Sequence, residues 1–200
     1  MKYISGTYVL YNTEERCRHH RRIALRSVRG QRINVPPCIH GSMVTIVYAT
    51  QGGSSGRYAG WLSERLNVPC YQTGSVPEDI DDDIVFVGWR SGPAVVGLND
   101  VPRRDRVIAV ICVGLERYDE KAMETIRKKN SVDELFYVRG AMDRKTLRFG
   151  QKLLLAAVSI KMRLFNRSPE DRRVREVMDR GGDLSSEDQL DGFVVWFGNR

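Results

Sequence analysis

Val44-Thr45-Ile46-Val47-Tyr48-Ala49-Thr50-Gln51-Gly52-Gly53-Ser54-Ser55-Gly56-Arg57-Tyr58-Ala59-Gly60-Trp61-Leu62 begins as an apolar run, stops at a hydroxyl- and glycine-rich loop, and restarts with helical spacing. A strand, an anion-cradling turn and a helix N-terminus have this form. The loop offers short hydroxyls and open backbone, and the helix aims its unpaired N–H groups and positive dipole end at the same point. The expected ligand is phosphorylated.

The same alternation extends outward. Tyr58, Trp61, Leu62 and Leu66 lie at helical spacing, and 68–71 reads as a short second strand. Ile84-Val85-Phe86-Val87-Gly88 is a continuous apolar run ending at glycine, the mark of a parallel strand buried on both faces, and a loop is expected over 89–105. Val107-Ile108-Ala109-Val110-Ile111-Cys112-Val113-Gly114 repeats the pattern, a helix is expected over about 119–129, and Leu135-Phe136-Tyr137-Val138 makes one more strand. The chain from Asp143 on reads as helical, with breaks at Pro169 and Gly181-Gly182. Five strands separated by crossovers imply an α/β domain with an open, doubly wound parallel sheet. Ligands in such sheets lie beyond the carboxyl ends of the strands, near the switch point.

Charge separates the chain into two parts. Residues 1–42 hold 8 Lys/Arg against 2 Asp/Glu, which leaves 24 against 23 for 43–200, so all but one unit of the formal charge of +7 belongs to the leading segment. That segment is expected to be a basic leader with little ordered structure, either a tail that touches an anionic partner or sequence upstream of a start at Met43. The nearly neutral remainder gives no support for nucleic-acid binding. His19, His20 and His40 all lie in the leader, which excludes histidine triads and histidine metal sites from the core. Cys17, Cys38, Cys70 and Cys112 are scattered without paired spacing, as reduced thiols in a cytoplasm would be, and no apolar run approaches the length of a bilayer span.

Tyr48-Ala49-Thr50-Gln51-Gly52-Gly53-Ser54-Ser55 resembles the FMN phosphate loop of flavodoxins. Gly114-Leu115-Glu116-Arg117-Tyr118, followed by Ala122 and Ile126, resembles the flavodoxin loop that places an aromatic against the isoalloxazine ring. Arg139-Gly140-Ala141-Met142, the long helix after it, and Ser185 to Phe193 leading to Trp196-Phe197 are further similar to the flavodoxin-type, menaquinone-dependent protoporphyrinogen oxidases. The resemblance covers nearly all of 43–200 and implies the flavodoxin-like strand order 2-1-3-4-5.

It also implies roles. Thr50, Ser54 and Ser55 would donate hydroxyl hydrogen bonds to the FMN phosphate, joined by the backbone of Gln51, Gly52 and Gly53. Trp89 would cover one ring face within Trp89-Arg90-Ser91-Gly92-Pro93, with Gly88 or Gly92 letting backbone approach the ring edge. Tyr118 would cover the other face, and amides near Gly92, Val113 and Gly114 would meet the ring's polar edge. Cys112, at the end of an apolar strand, reads as a buried structural thiol. No catalytic acid or base is assigned, because a flavin carries its own redox chemistry. The partner is a redox protein or a reduced small molecule. Leu153 to Val158, bracketed by Arg144, Lys145, Arg148 and Lys152 and by Lys161, Arg163 and Arg167, suits a helix packed on the sheet. A membrane-surface helix reaching a quinone has the same pattern. Two other classes stay open: a phosphoryl-ligand domain without redox chemistry, and a cofactor-free interaction module of flavodoxin shape.

Overall fold

Strands form where β-branched and aromatic residues are continuous, and their order follows from the crossovers between them. The structure is a computed structural model that describes residues 27–28, 31–32, 38–39, 42–143, 156–157, 159–160 and 169–200. Its central sheet has five parallel strands: β1 (Ser42–Tyr48), β2 (Cys70–Gln72), β3 (Asp83–Ser91), β4 (Val107–Gly114) and β5 (Leu135–Arg139). β1 pairs with β2 through Ile46↔Cys70 and with β3 through Val44↔Asp83 to Tyr48↔Val87. β3 pairs with β4 up to Trp89↔Val113, and β4 with β5 up to Gly114↔Arg139. The order is 2-1-3-4-5, the flavodoxin-like arrangement that the sequence implied.

Period-2 alternation divides the core between the two faces. Val44, Ile46, Val85, Val87, Ile111 and Val138 face helix α1 (Ser54–Leu66) and the C-terminal helix α4 (Asp191–Gly198). Val47, Phe86, Val110, Cys112 and Leu135 face helix α2 (Glu120–Asn130) and the turns around Leu98 and Val101. The sheet is therefore doubly wound. α4 is held to β5 by aromatic contacts: Phe136 and Phe193 meet at 5.1 Å with planes 87° apart, and Phe136 meets Trp196 at 5.3 Å. The fully buried Thr45 is satisfied by donating to Asp82 Oδ2 at 2.5 Å.

Helix ends follow local chemistry. α2 begins because Asp119 accepts the Ala122 N–H at 2.7 Å, and it ends at Ser131 in the left-handed region. Asp119→Ala removes that cap, and a stability loss of about 1 kcal/mol is expected in denaturant titration. Helix α3 (Pro169–Arg180) starts at one expected break and stops before the other, Gly181 (φ 84°).

Two local differences from the sequence reading stand out. β2 begins two residues later than expected and ends one later, at Gln72. β3 does not stop at Gly88 but continues through Trp89, Arg90 and Ser91, because the chain turns at Gly92 (φ 58°) and Pro93 and returns as Ala94–Val95. The two-residue turn allows Val96 N–H to bond Trp89 O at 2.9 Å, so what reads as a loop is a hairpin. Within 1–42 the described residues form short strands: Ser27–Val28 pairs with Gln31–Arg32, and Cys38–Ile39 pairs antiparallel with the start of β1. The expected helix over 143–165 lies almost entirely outside the described residues, and 156–157 and 159–160 are helical.

Candidate functional site

The carboxyl ends of β1 and β3 meet at the switch point of the sheet. Ala49 N–H donates to Val87 O at 3.0 Å, so the chain leaves β1 still tied to β3. Thr50 Oγ1 then accepts the Gly53 N–H at 3.0 Å, closing the turn over Gln51 and Gly52. Gly53 takes φ 88°, which a side chain would strain, and α1 starts at Ser54. Gln51, Gly52 and Gly53 are exposed, while Ser54 and Ser55 are 7% and 1% exposed.

Two electrostatic features distinguish this helix start. No side chain caps it, and its first turn carries no acidic residue. The amides there keep their positive end open to an anion. The Ser55 hydroxyl, buried in the first turn, has no hydrogen-bond partner. A buried hydroxyl without a partner costs about 1–3 kcal/mol. A phosphate oxygen would satisfy it.

The flank of the loop comes from the other end of the chain. A Cβ at Gly140 would lie 2.9 Å from Ser54 Oγ and 2.5 Å from Val113 Cγ1, so the chain after β5 presses its backbone onto the loop. Tyr58 O–H donates to Arg139 O at 2.6 Å and accepts Ser186 N–H at 3.1 Å. Arg57 is ion-paired with Asp183. Burial pulls the Asp183 carboxyl upward, but its bonds from Arg57 and Ser185 outweigh that and leave it below the usual carboxylate range. None of these long-range partners is legible in the sequence. A glycine directly after a strand, Gly140, is the one signal that marks a close approach.

The residues expected to flank a flavin ring lie on the same edge. Trp89 and Val113 are Cα partners on neighbouring strands; Trp89 is half-buried and Val113 buried. Ser91 and Gly92 are exposed at the hairpin tip, and the Tyr118 ring is 62% exposed. Arg90 Nη1 bonds Glu116 Oε2 at 2.7 Å, an ion pair that joins the hairpin after β3 to the segment after β4 and that the sequence does not announce.

Two glycines make room for neighbours in the same chain. A Cβ at Gly88 would meet Val96 O at 2.7 Å, so the returning hairpin covers it and it offers no backbone to a ligand. Gly114 makes room for Tyr137: a Cβ there would lie 2.4 Å from the Tyr137 hydroxyl oxygen. Burial pushes the Tyr137 phenol above its ordinary range, with the Arg90 charge acting in the opposite sense.

Cys112 is fully buried, and burial pushes its thiol up to about 12. Native protein is expected to resist alkylation at Cys112 near pH 8, with labelling appearing only on unfolding; mass spectrometry after iodoacetamide treatment checks this. Among the described residues no group of three or more His, Cys, Asp or Glu side chains is placed to hold a metal, and no helix is long and apolar enough to cross a membrane. No family model matches the chain, and no curated protein matches it.

Proposed function

We propose that the protein binds FMN noncovalently at this edge and works as a flavodoxin-like redox protein. It serves either as an electron carrier or as an oxidoreductase on a reduced small molecule such as a porphyrinogen, with a quinone as the acceptor. The observation that carries the reading is the buried, unpartnered Ser55 hydroxyl at an uncapped, acid-free helix N-terminus. A terminal phosphate supplies what both lack.

The donor set fits a phosphomonoester. Thr50 and Ser55 offer hydroxyls, and the backbone of 51–53 with the first turn of α1 offers amides. Several such bonds acting together neutralise a dianion without a basic cluster. Trp89 and Tyr118 offer aromatic faces on the same edge for the ring. When bound, FMN supplies the hydride and single-electron chemistry. The chain's own part is to bind the phosphate, orient the ring and keep water from it. In the enzyme form the protein works in the cytoplasm, beside the membrane that holds the quinone.

The test is an absorbance spectrum of the purified chain after FMN addition and desalting. Retained near-ultraviolet and blue bands support the reading and direct the next assay to porphyrinogen and quinone turnover. A folded, colourless protein overturns it in favour of a cofactor-free interaction module or another phosphoryl ligand.

A further inference from the structure

Trp89 and Arg90 are consecutive on β3, so their side chains leave opposite faces of the sheet. Trp89 shares its face with α1, whose start forms the phosphate loop. Arg90 is on the α2 face, where its side chain is only 18% exposed. It is fixed twice: Nε donates to Gly92 O at 2.9 Å, inside its own hairpin, and Nη1 donates to Glu116 Oε2 at 2.7 Å, across to the segment after β4. Glu116 is fixed in turn by its main chain, since Tyr137 O–H donates to Glu116 O at 2.8 Å. Tyr137 reaches that carbonyl by lying against Gly114. The ends of β3, β4 and β5 are thus joined through three side chains, those of Arg90, Glu116 and Tyr137.

We propose that Arg90 and Glu116 form a clasp that fixes the β3 hairpin to the segment after β4, making both of them positioning residues for the ring that Trp89 and Tyr118 would flank. The inference rests on the FMN reading above. Trp89 immediately precedes Arg90 and Tyr118 follows Glu116 by two residues, so the clasp sets the separation of the two aromatics. It also sets the charge beside the ring. Together the guanidinium and carboxylate cancel, and losing either leaves a single charge of known sign. An uncompensated cation stabilises an electron-rich ring, and an uncompensated anion opposes it.

The test compares the full chain with Glu116→Gln, Arg90→Gln and the double variant, using three readouts. Without FMN, amide hydrogen exchange is followed over 89–97 and 115–119, and each single variant is expected to accelerate exchange in both segments. In fluorescence titration each is expected to bind FMN about threefold to fivefold more weakly, with the double variant no weaker than the worse single one. The flavin midpoint potential is expected to rise in Glu116→Gln and fall in Arg90→Gln, with Glu116→Asp restoring the parent value. Acceleration in one segment only, or potentials that move in the same direction, overturns the clasp. Coupled exchange in a parent protein that binds no FMN overturns the flavin reading and the ring-positioning role, while the clasp between the segments stands.

Discussion

Ser55→Ala is expected to leave the unliganded protein at least as stable as the parent, by up to about 1 kcal/mol, while weakening FMN by about tenfold to a hundredfold. The two signs have one cause. In the unliganded molecule the hydroxyl is buried with no partner, so its removal relieves an unpaid desolvation. In the complex it would donate to a charged phosphate oxygen, so its removal deletes a charge-assisted bond. Thr50→Ala added to it is expected to weaken binding further, but at some stability cost, because Thr50 Oγ1 closes the loop on the Gly53 amide. Denaturant titration and FMN titration of the same preparations separate the two effects. A Ser55→Ala protein that is less stable and binds FMN as the parent does would make the hydroxyl a packing group and remove the strongest support for a phosphate site.

Gly97→Val is expected to be the most damaging single substitution near the site, costing about 4 kcal/mol or preventing folding. Gly97 has φ +84°, and a Cβ there would lie 2.1 Å from the Ala49 Cβ. Backbone strain and overlap therefore act together, and Ala49 cannot withdraw because its amide is bonded to Val87 O. Gly92→Ala is the control. It has φ +58° but nothing within 4 Å of the added carbon, so only strain of about 1–2 kcal/mol applies. Equal losses in the two variants would show that overlap at Ala49 contributes nothing.

Much of this architecture is legible because burial on both faces of a parallel sheet leaves an uninterrupted apolar record. Ile84 to Gly88 and Val107 to Gly114 could be read as strands from composition alone, and their crossovers fixed the class of fold. β3 was read short because Trp89, Arg90 and Ser91 leave the core while still paired, and pairing with Ala94–Val95 leaves no hydropathy trace. The loop from Thr50 to Gly53 was legible for a local reason: hydroxyls, glycines and a helix start sit within a few residues. Asp183 and Ser186 were not, since their place beside the loop depends on contacts across 80 residues or more of chain, as Tyr58 to Arg139 (81 residues) illustrates. Gly88 and Gly114 show the limit of glycine as a signal. Gly88 lies inside β3 and Gly114 ends β4, and each accommodates a neighbour of the same chain.

The Tyr58 hydroxyl, which joins the start of α1 to Arg139 and Ser186, also sets a timetable for the molecule during its synthesis. Ser186 is 128 residues downstream of Tyr58, so a ribosome adding 5–20 residues per second needs on the order of 10 s to deliver it. A nascent chain can complete β1, the hydroxyl-rich turn and α1 well before that, but the wall built from 139–142 and 182–186 arrives much later. Chains cut short before Ser186 would carry the whole loop and lack its support.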